Sequence, residues 1–369
     1  MSIRQDDPAL EALLMPFLTG RLQWPEAGAL FLRARQGHGL VPSAWPGLVC
    51  EQSFKPEAQA LERAGFPVQP QGDSRHPLVL VLPPRQRDEA RALLAEAVAR
   101  AEGEDAVVIA SVPNNEGAKA IEGDLVRIAG PVNTVPKHKC RVFWVRPNAG
   151  GGDAELAAQW RKLDAPRPIL GGTAMEGRFI SRPGVFAWDR IDPASALLAE
   201  HLPDTLAGRA ADLGAGWGFL SDALLQRCPK ITSLHLYEAE ARALDLARDN
   251  MTGEGRTGEG STPHAERVAL DFRWHDVTAG LPDTYDVVIS NPPFHGQGRA
   301  SRPEIGRAFI AAAAQALAPG GSLWLVANRQ LPYEQVLGEH FSQIEVVADR
   351  AGFKVIRADK AGRPARNGR

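Results

Sequence analysis

The sequence predicts an α/β protein made of two tandem domains, each with a mostly parallel sheet covered by helices on both faces. Three observations predict this fold class. Short apolar segments alternate with amphipathic segments along the chain, which is the pattern of strands and crossover helices. The order of segments in the first half is echoed in the second. A glycine-rich turn at residues 214–218 joins an apolar segment to a helical one, as at the ligand-binding end of such a sheet.

The periodicity of apolar residues places the individual elements. In the first half, strands are predicted at residues 28–33, 47–51, 77–82, 106–111 and 139–145, and helices at 55–65, 85–101 and 116–128. In the second half, strands are predicted at 208–213, 233–238, 268–274, 285–290 and 323–328, followed by an antiparallel pair at 345–348 and 353–358. Helices are predicted directly after the glycines, after Glu238 and at 304–317. Asp192 and Pro193 form a helix start, with an N-cap followed by proline.

The two halves are predicted to be copies of one domain. A double proline ends a strand in each copy, as Leu82–Pro–Pro in the first and Asn291–Pro–Pro in the second. The first copy has no glycine loop, because its corresponding segment at 31–37 reads FLRARQG. We therefore predict a degenerate domain at 1–165 and a functional domain at 166–369.

The composition of the chain limits the ligands and the cellular location that can be expected for it. The chain has 369 residues and a formal net charge of −2, so any surface that binds nucleic acid must be local. Its three cysteines are scattered, with neither a metal-binding spacing nor a disulfide framework, and no metal is expected. No apolar run approaches a membrane span and the first residues lack a signal-peptide pattern. We expect a cytoplasmic monomer without membrane contact.

The glycine loop is the first chemical motif. Gly214, Gly216 and Gly218 allow positive φ angles and close approach of a ligand to the backbone, and their G-x-G-x-G spacing differs from the dinucleotide fingerprint. Asp212 precedes them. Its carboxylate would repel a pyrophosphate but can hold an amino group, which favours a cationic cofactor over NAD. The alternative is a glycine-rich turn without a ligand.

Two further acids follow at strand ends. Glu238 lies 24 residues after Gly214, where an acid accepts hydrogen bonds from ribose hydroxyls. Asp276 follows the next strand and is predicted to reach an adenine amino group. For Glu238 the structural alternative is a helix-capping acid.

The second motif is Asn291–Pro292–Pro293–Phe294. The Asn291 side-chain oxygen and the Pro292 carbonyl can accept hydrogen bonds from a planar NH₂ group, while the prolines stiffen the loop and Phe294 offers a stacking surface. Asn291 also adjoins the predicted cofactor. Together the motifs predict S-adenosyl-L-methionine-dependent methylation of a planar amine. Alone, the second motif also fits a common proline turn.

Four other residues are candidates for contact with RNA. Arg299 and Arg302 precede a helix and can grip phosphates, although exposed arginines are common at helix starts. Phe186 lies in a segment that can wrap the cofactor or the base, and Lys354 lies near the start of the last strand. The basic tail beyond Asp359 either contacts RNA or only improves solubility. No chemistry is assigned to the glycine-rich stretch 252–262.

The second half resembles the RsmC/RlmG family of ribosomal RNA guanine-N2 methyltransferases, and most closely its small-subunit branch. The resemblance covers residues 184–360 through PGVFAWDRID, DLGAGWG, ISNPPFH, VANRQLPY and GFKVIRA, and the first half resembles the family's degenerate domain through LPPRQRDEA. It implies two Rossmann-like class I methyltransferase domains, each with a seven-stranded, mostly parallel sheet whose last strand is antiparallel. It also implies methylation of a guanine in 16S rRNA of the small ribosomal subunit, with a first domain that supports folding and RNA binding. Trp217 inside the glycine loop and the insertion after Met251 depart from the family pattern.

The motifs leave alternatives open. A planar NH₂ is also presented by guanine in 23S rRNA, by adenine, and by the glutamine amide that release-factor methyltransferases modify. The non-enzymatic alternative is an RNA-binding ribosome assembly factor, against which Asn291 argues because a binder needs no acceptor for an amine. An NAD-dependent oxidoreductase is disfavoured by the glycine spacing.

Overall fold

The computed structural model describes residues 7–169, 177–253, 267–293 and 303–362. The chain forms two compact units: Met1–Ala165 with Arg182–Gly184, and Pro166–Ser181 with Val185–Arg369. Within the described ranges, no helix is both long and apolar enough to cross a membrane.

The first unit contains a seven-stranded sheet in the order β3-β2-β1-β4-β5-β7-β6. Its strands are β1 (Ala29–Leu32), β2 (Leu48–Glu51), β3 (Val68–Gln69), β4 (Leu78–Val81), β5 (Val107–Pro113), β6 (Asn133–Lys137) and β7 (Cys140–Val145). Its helices are α1 (Pro8–Leu18), α2 (Lys55–Arg63), α3 (Arg87–Arg100), α4 (Ala118–Ala129) and α5 (Ala154–Trp160). Strand β7 pairs antiparallel with β5 and β6, while the other pairs are parallel.

The second unit contains a seven-stranded sheet in the order β12-β11-β10-β13-β14-β16-β15, and a separate antiparallel pair, β8 (Arg167–Pro168) and β9 (Ile180–Ser181). The large sheet is formed by β10 (Ala207–Leu213), β11 (Lys230–Glu238), β12 (Ala269–Trp274), β13 (Tyr285–Ser290), β14 (Leu317–Asn328), β15 (Gln343–Arg350) and β16 (Phe353–Asp359). The helices are α6 (Pro193–His201), α7 (Phe219–Arg227), α8 (Ala241–Thr252), α9 (Pro303–Ala316) and α10 (Glu334–His340). Strand β16 is antiparallel to β14 and β15.

The strand orders of the two sheets are the same when their strands are numbered from the start of each unit. Five strands are joined by parallel pairs in each sheet, and the penultimate strand runs antiparallel to both of its neighbours. The predicted fold class and internal duplication are therefore confirmed, including the antiparallel pair at the end of the chain.

Both faces of each sheet are buried, as the apolar strands predicted. In β13, Val287 and Ile289 pack into one hydrophobic cluster and Val288 into another, since successive side chains of a strand point to opposite faces. In the first unit, Leu30 and Phe31 divide in the same way between two clusters. Each large apolar side chain buried in this way contributes about 1.5–3 kcal/mol.

Strand register aligns the two copies residue by residue. Leu32 of β1 pairs with Glu51 and Val81, and Leu213 of β10 pairs with Tyr237 and Ser290. The residues that follow are therefore equivalent: Arg33 matches Gly214, Gln52 matches Glu238, and Leu82 matches Asn291. Arg33 has φ 54° where Gly214 has φ 75°. The first copy thus retains the left-handed turn although it has lost the glycine.

Candidate active site

The predicted site residues of the second unit follow the ends of neighbouring parallel strands. Leu213 pairs with both Tyr237 and Ser290, and Glu238 pairs with Trp274. The glycine loop, Glu238, Asp276 and Asn291 therefore meet at the carboxyl edge of the sheet, where open α/β sheets bind their ligands. A Cβ atom placed on Gly214 would lie 4.0 Å from the Asn291 backbone oxygen, so the two motifs are in contact.

The glycine loop requires its glycines. Gly214, Gly216 and Gly218 have φ angles of 75°, 56° and 93°, which disfavour residues with a Cβ. A Cβ on Gly216 would meet no atom within 4 Å, so its α-carbon faces open space. Gly218 is the N-cap of α7 and has no side chain to cap it. An open, backbone-lined surface before a helix N-terminus suits a nucleoside-type cofactor.

Trp217, the bulky residue inside the loop, points into the core. It is 4% exposed, and its ring centroid lies 5.2 Å from that of Phe179 and 5.9 Å from that of Phe219. The buried Asn250 donates from Nδ2 to the Trp217 carbonyl at 2.8 Å. This departure from the family pattern therefore anchors the loop and leaves the open face at Gly216 clear.

Glu238 fastens the loop to the end of β11. Its Oε2 accepts from the Gly216 N–H at 2.8 Å and its Oε1 accepts from the Glu240 N–H at 2.8 Å. Burial raises the pKa of the Glu238 carboxyl, and these backbone hydrogen bonds act in the opposite direction. Each oxygen retains a second lone pair, so the carboxylate can also accept from a sugar diol. Its ribose role stays a prediction.

Asp212 is fully buried beneath the loop. Its Oδ2 accepts from the Ser221 hydroxyl at 2.7 Å, while its Oδ1 has no partner among the residues that the structure describes. Burial raises the pKa of Asp212 to about 7, and the hydrogen bond from Ser221 works against that rise. An unsatisfied acceptor beside the loop suits a ligand that carries N–H donors. The predicted contact with the cofactor's amino group remains untested.

The raised pKa makes the ligand-free protein less stable as pH rises. The folded carboxyl keeps its proton up to about pH 7, whereas an aspartate carboxyl in water has a pKa of 3.8. Between these values the folded state binds more protons, so rising pH favours unfolding. We expect the wild-type protein to lose roughly 2.5 kcal/mol of its free energy of unfolding between about pH 5 and pH 8, and Asp212→Asn to abolish this loss.

Urea unfolding without cofactor at both pH values measures this difference. Asp245→Asn, at a side chain that is 71% exposed, is the control and should follow the wild-type protein. If the free energy of unfolding of Asp212→Asn changed with pH as much as that of the wild-type protein, the expectation would be contradicted.

Asp276 caps the short 3-10 helix Val277–Ala279. Its Oδ1 accepts from the backbone N–H of Thr278 at 3.0 Å and from the Thr278 hydroxyl at 2.6 Å. The Asp276 side chain lies at the carboxyl edge of the sheet, where the sequence predicted it. Its observed role is to cap this short helix. Contact with adenine stays a prediction.

The side chain of Asn291 is held by two residues near the start of α6. Its Nδ2 donates to Asp192 Oδ2 and to Ser195 Oγ, each at 2.9 Å. Asp192 is the N-cap of α6 and accepts from the Ser195 N–H at 2.9 Å, as the Asp–Pro sequence predicted. Its contact with Asn291 was missed, because nothing in a single sequence pairs residues 99 positions apart.

Not all of the other predicted site residues lie in the part of the chain that the structure describes. Pro292 is buried and Pro293 exposed, whereas Phe294, Arg299 and Arg302 lie outside the described residues. Phe186 is 63% exposed. Lys354 donates to Glu334 at 3.0 Å and pairs in register with Ala327 of β14. Their RNA contacts stay predictions.

Comparisons with known proteins agree with this geometry. Residues 176–357 match the family described as methyltransferase small domain. A solved T. thermophilus 16S rRNA N2 methyltransferase (RsmC), in complex with AdoMet and guanosine, has a TM-score of 0.73 at 22% identity and covers 96% of this chain and 92% of that chain. This likeness shows the fold of both units.

Two relatives found by sequence identify the family of this chain. The large subunit methyltransferase G of Alcanivorax borkumensis is 33% identical over 222 residues, which cover 56% of this chain and 53% of that protein. The ribosomal RNA small subunit methyltransferase C of Pseudomonas paraeruginosa is 30% identical over 305 residues, which cover 81% of this chain and 86% of that protein. The chain therefore belongs to the RsmC/RlmG family of methyltransferases.

Proposed function

We propose that this protein transfers a methyl group from S-adenosylmethionine to the exocyclic N2 amine of a guanine in 16S rRNA of the small ribosomal subunit. The observation that carries the proposal is the meeting of Asn291 with the glycine loop at one edge of the second sheet, through the paired residues Leu213 and Ser290. The relative that aligns over most of both chains bears the name of a small-subunit rRNA methyltransferase.

The residues present suit the cofactor. The open face at Gly216 and the helix N-terminus beyond it would receive the amino-acid portion, with the buried Asp212 acceptor behind them. Glu238 would accept from the ribose hydroxyls and Asp276 from the adenine amine. When bound, S-adenosylmethionine supplies an electrophilic methyl group on a sulfonium that is already a good leaving group.

The chain's part in the chemistry is then to present the amine. The lone pair of a guanine N2 is delocalised into the ring, which makes it a poor nucleophile. Acceptance of its two hydrogens by Asn291 Oδ1 and the Pro292 carbonyl favours a more tetrahedral nitrogen with a directed lone pair. These oxygens also stabilise the positive charge that develops on nitrogen in the transition state. Positioning supplies the rest of the acceleration, so no strong general base is required.

The first unit is proposed to support folding and RNA binding without catalysis. Leu82, which is 5% exposed, stands at the position of Asn291 and cannot accept a hydrogen bond from an amine. Gln52 stands at the position of Glu238. The first change removes the acceptor, and the second replaces one of two acceptor oxygens by an NH₂ donor; the fold is retained.

The proposal is tested by transfer of tritiated methyl groups to ribosomal subunits from cells that lack the protein, followed by nucleoside analysis. We expect label in N2-methylguanosine of 16S rRNA. Label in 23S rRNA would retain the chemistry and change the target, and label in N6-methyladenosine would change the base. Label in a release factor, with none in RNA, would favour the glutamine-amide alternative. Absence of label in all of these substrates would favour an assembly factor.

A further inference from the structure

The orientation of the Asn291 amide is decided by its neighbours. Nδ2 lies 2.9 Å from Asp192 Oδ2 and 2.9 Å from Ser195 Oγ. An ionised carboxylate has no proton to donate, so the amide atom that faces Asp192 must be the nitrogen. An amide NH₂ has two hydrogens, and each has an acceptor here. Oδ1 is therefore left on the other side of the amide.

We propose that Asp192 and Ser195 are positioning residues that hold Asn291 with Oδ1 directed at the substrate amine. The inference rests on the proposed function, in which Asn291 accepts from that amine. A flipped amide would bring Oδ1 against the Asp192 carboxylate and would turn N–H groups toward the hydrogens of the substrate. Both contacts are repulsive, so the acceptor pair selects the productive orientation before the substrate arrives.

The same Asp192 oxygen that caps α6 also receives the Asn291 bond. Ser195 is 8% exposed and Asn291 is partly buried, so water does not freely replace these partners. The start of α6 and the end of β13 are thereby tied to each other through one carboxylate. Capping and positioning must be separated experimentally, since loss of either lowers activity.

Two substitutions separate them. Asp192→Ser retains a good N-cap, but its oxygen is one bond nearer the backbone and withdraws from Asn291. Asp192→Asn retains both an N-cap and an oxygen that reaches Asn291. We expect Asp192→Ser to lower kcat about ten- to 100-fold, the range for loss of one hydrogen bond to a charged group. The Asn variant should lose about threefold.

The matched control is Asp153→Ser, which makes the same change at the N-cap of α5, where Asp153 accepts from the Leu156 N–H at 2.9 Å. It should leave kcat unaltered. Melting temperature and the Kd for S-adenosylmethionine should stay close to wild type in both Asp192 variants, because capping is retained. If Asp192 only capped α6, the serine variant would keep the kcat of the wild-type protein. If its bond to Asn291 served only stability, the serine variant would lose melting temperature and keep its kcat.

Several results overturn the inference. One is a kcat of Asp192→Ser within about twofold of wild type. Another is an equal loss of kcat in the serine and asparagine variants. Asn291→Ala distinguishes this failure from failure of the proposed function: if that variant stays active, the proposed mechanism fails, whereas if it is inactive and Asp192→Ser is active, only the positioning role fails.

Discussion

Asn291→Ala is expected to lower kcat for methyl transfer roughly 100- to 1,000-fold, the cost of removing one group that stabilises developing charge in a preorganised site. The reason is specific to the transition state. As the new bond forms, the exocyclic nitrogen gains positive charge and its N–H groups become stronger donors, so an acceptor that is fixed in place gains strength when it is needed. Before that point the amine is nearly neutral and the same contact contributes little to binding.

Binding of S-adenosylmethionine by the alanine variant should remain close to wild type. The hydrogen bonds that hold the glycine loop include those from Gly216 to Glu238, from Ser221 to Asp212 and from Asn250 to the Trp217 carbonyl, and none of these uses the Asn291 side chain. Isothermal titration with the cofactor and a single-turnover methylation assay separate the two quantities. Asn148→Ala removes an exposed amide from the first unit and serves as the control. Wild-type turnover by Asn291→Ala would contradict the mechanism.

Elements with strong period and clear boundaries were predictable from the sequence. The strand predicted at 285–290 has the bounds observed for β13, Tyr285–Ser290, because a buried apolar run ends there at Asn–Pro–Pro. By contrast, α1 was not predicted. Six of its eleven residues are buried and it contains Pro16, so its sequence lacks the polar stripe that identifies a surface helix.

Two strands were missed or shortened in the prediction for the opposite reason. Strand β6, NTVPK, is mostly exposed and contains a proline, as edges that resist further pairing often do. Strand β14 begins at Leu317 and not at 323, because Gly320 and Gly321 interrupt the apolar pattern on which the prediction depended. The sequence signal reports burial, and these segments pair their backbone without burying most of their side chains.

The site was predictable in its backbone and less so in its contacts. Glycines at 214, 216 and 218 have the positive φ angles that their spacing suggested. The burial of Asp212 and its bond to Ser221 were not visible, since a strand-end acid reads the same whether it faces a ligand or the core. The link from Asn291 to Asp192 joins elements that are distant in sequence, and it arises only because α6 packs on β14, the neighbour of β13 in the sheet.

The duplicated fold provides the second large expected effect, on cofactor affinity. Glu238 and Gln52 occupy equivalent positions, and each accepts from the backbone N–H two residues later, at 2.8 Å in both units. They differ at the other atom: Glu238 Oε2 accepts from the Gly216 N–H, whereas Gln52 Nε2 donates to the Ala34 carbonyl at 2.6 Å. The Glu238 carboxylate therefore binds a loop through a backbone N–H, and the Gln52 amide binds the equivalent loop through a backbone carbonyl.

Glu238→Gln is expected to raise the Kd for S-adenosylmethionine about ten- to 100-fold, the cost of one lost hydrogen bond to a charged group together with an unsatisfied donor. One end of the amide must place its NH₂ against a backbone N–H, so either Gly216 or Glu240 loses its acceptor. Where Gly216 loses its acceptor, the loop keeps only its backbone bonds to Tyr237 at the end of β11. The proposed acceptor of the ribose diol also loses its negative charge.

Gln52→Glu is the reciprocal control. It sets a carboxylate against the Ala34 carbonyl and should destabilise the first unit, while the Kd for the cofactor stays unaltered because that unit has no glycine loop. Titration of both variants with S-adenosylmethionine, alongside their thermal unfolding, tests the pair. An unchanged Kd in Glu238→Gln would show that the acid is dispensable for cofactor binding, and a raised Kd in Gln52→Glu would show that the first unit contributes to it. The two variants are expected to differ because the two loops present different groups. The N–H of Gly216 needs an acceptor, which Glu238 supplies, and the carbonyl of Ala34 needs a donor, which Gln52 supplies.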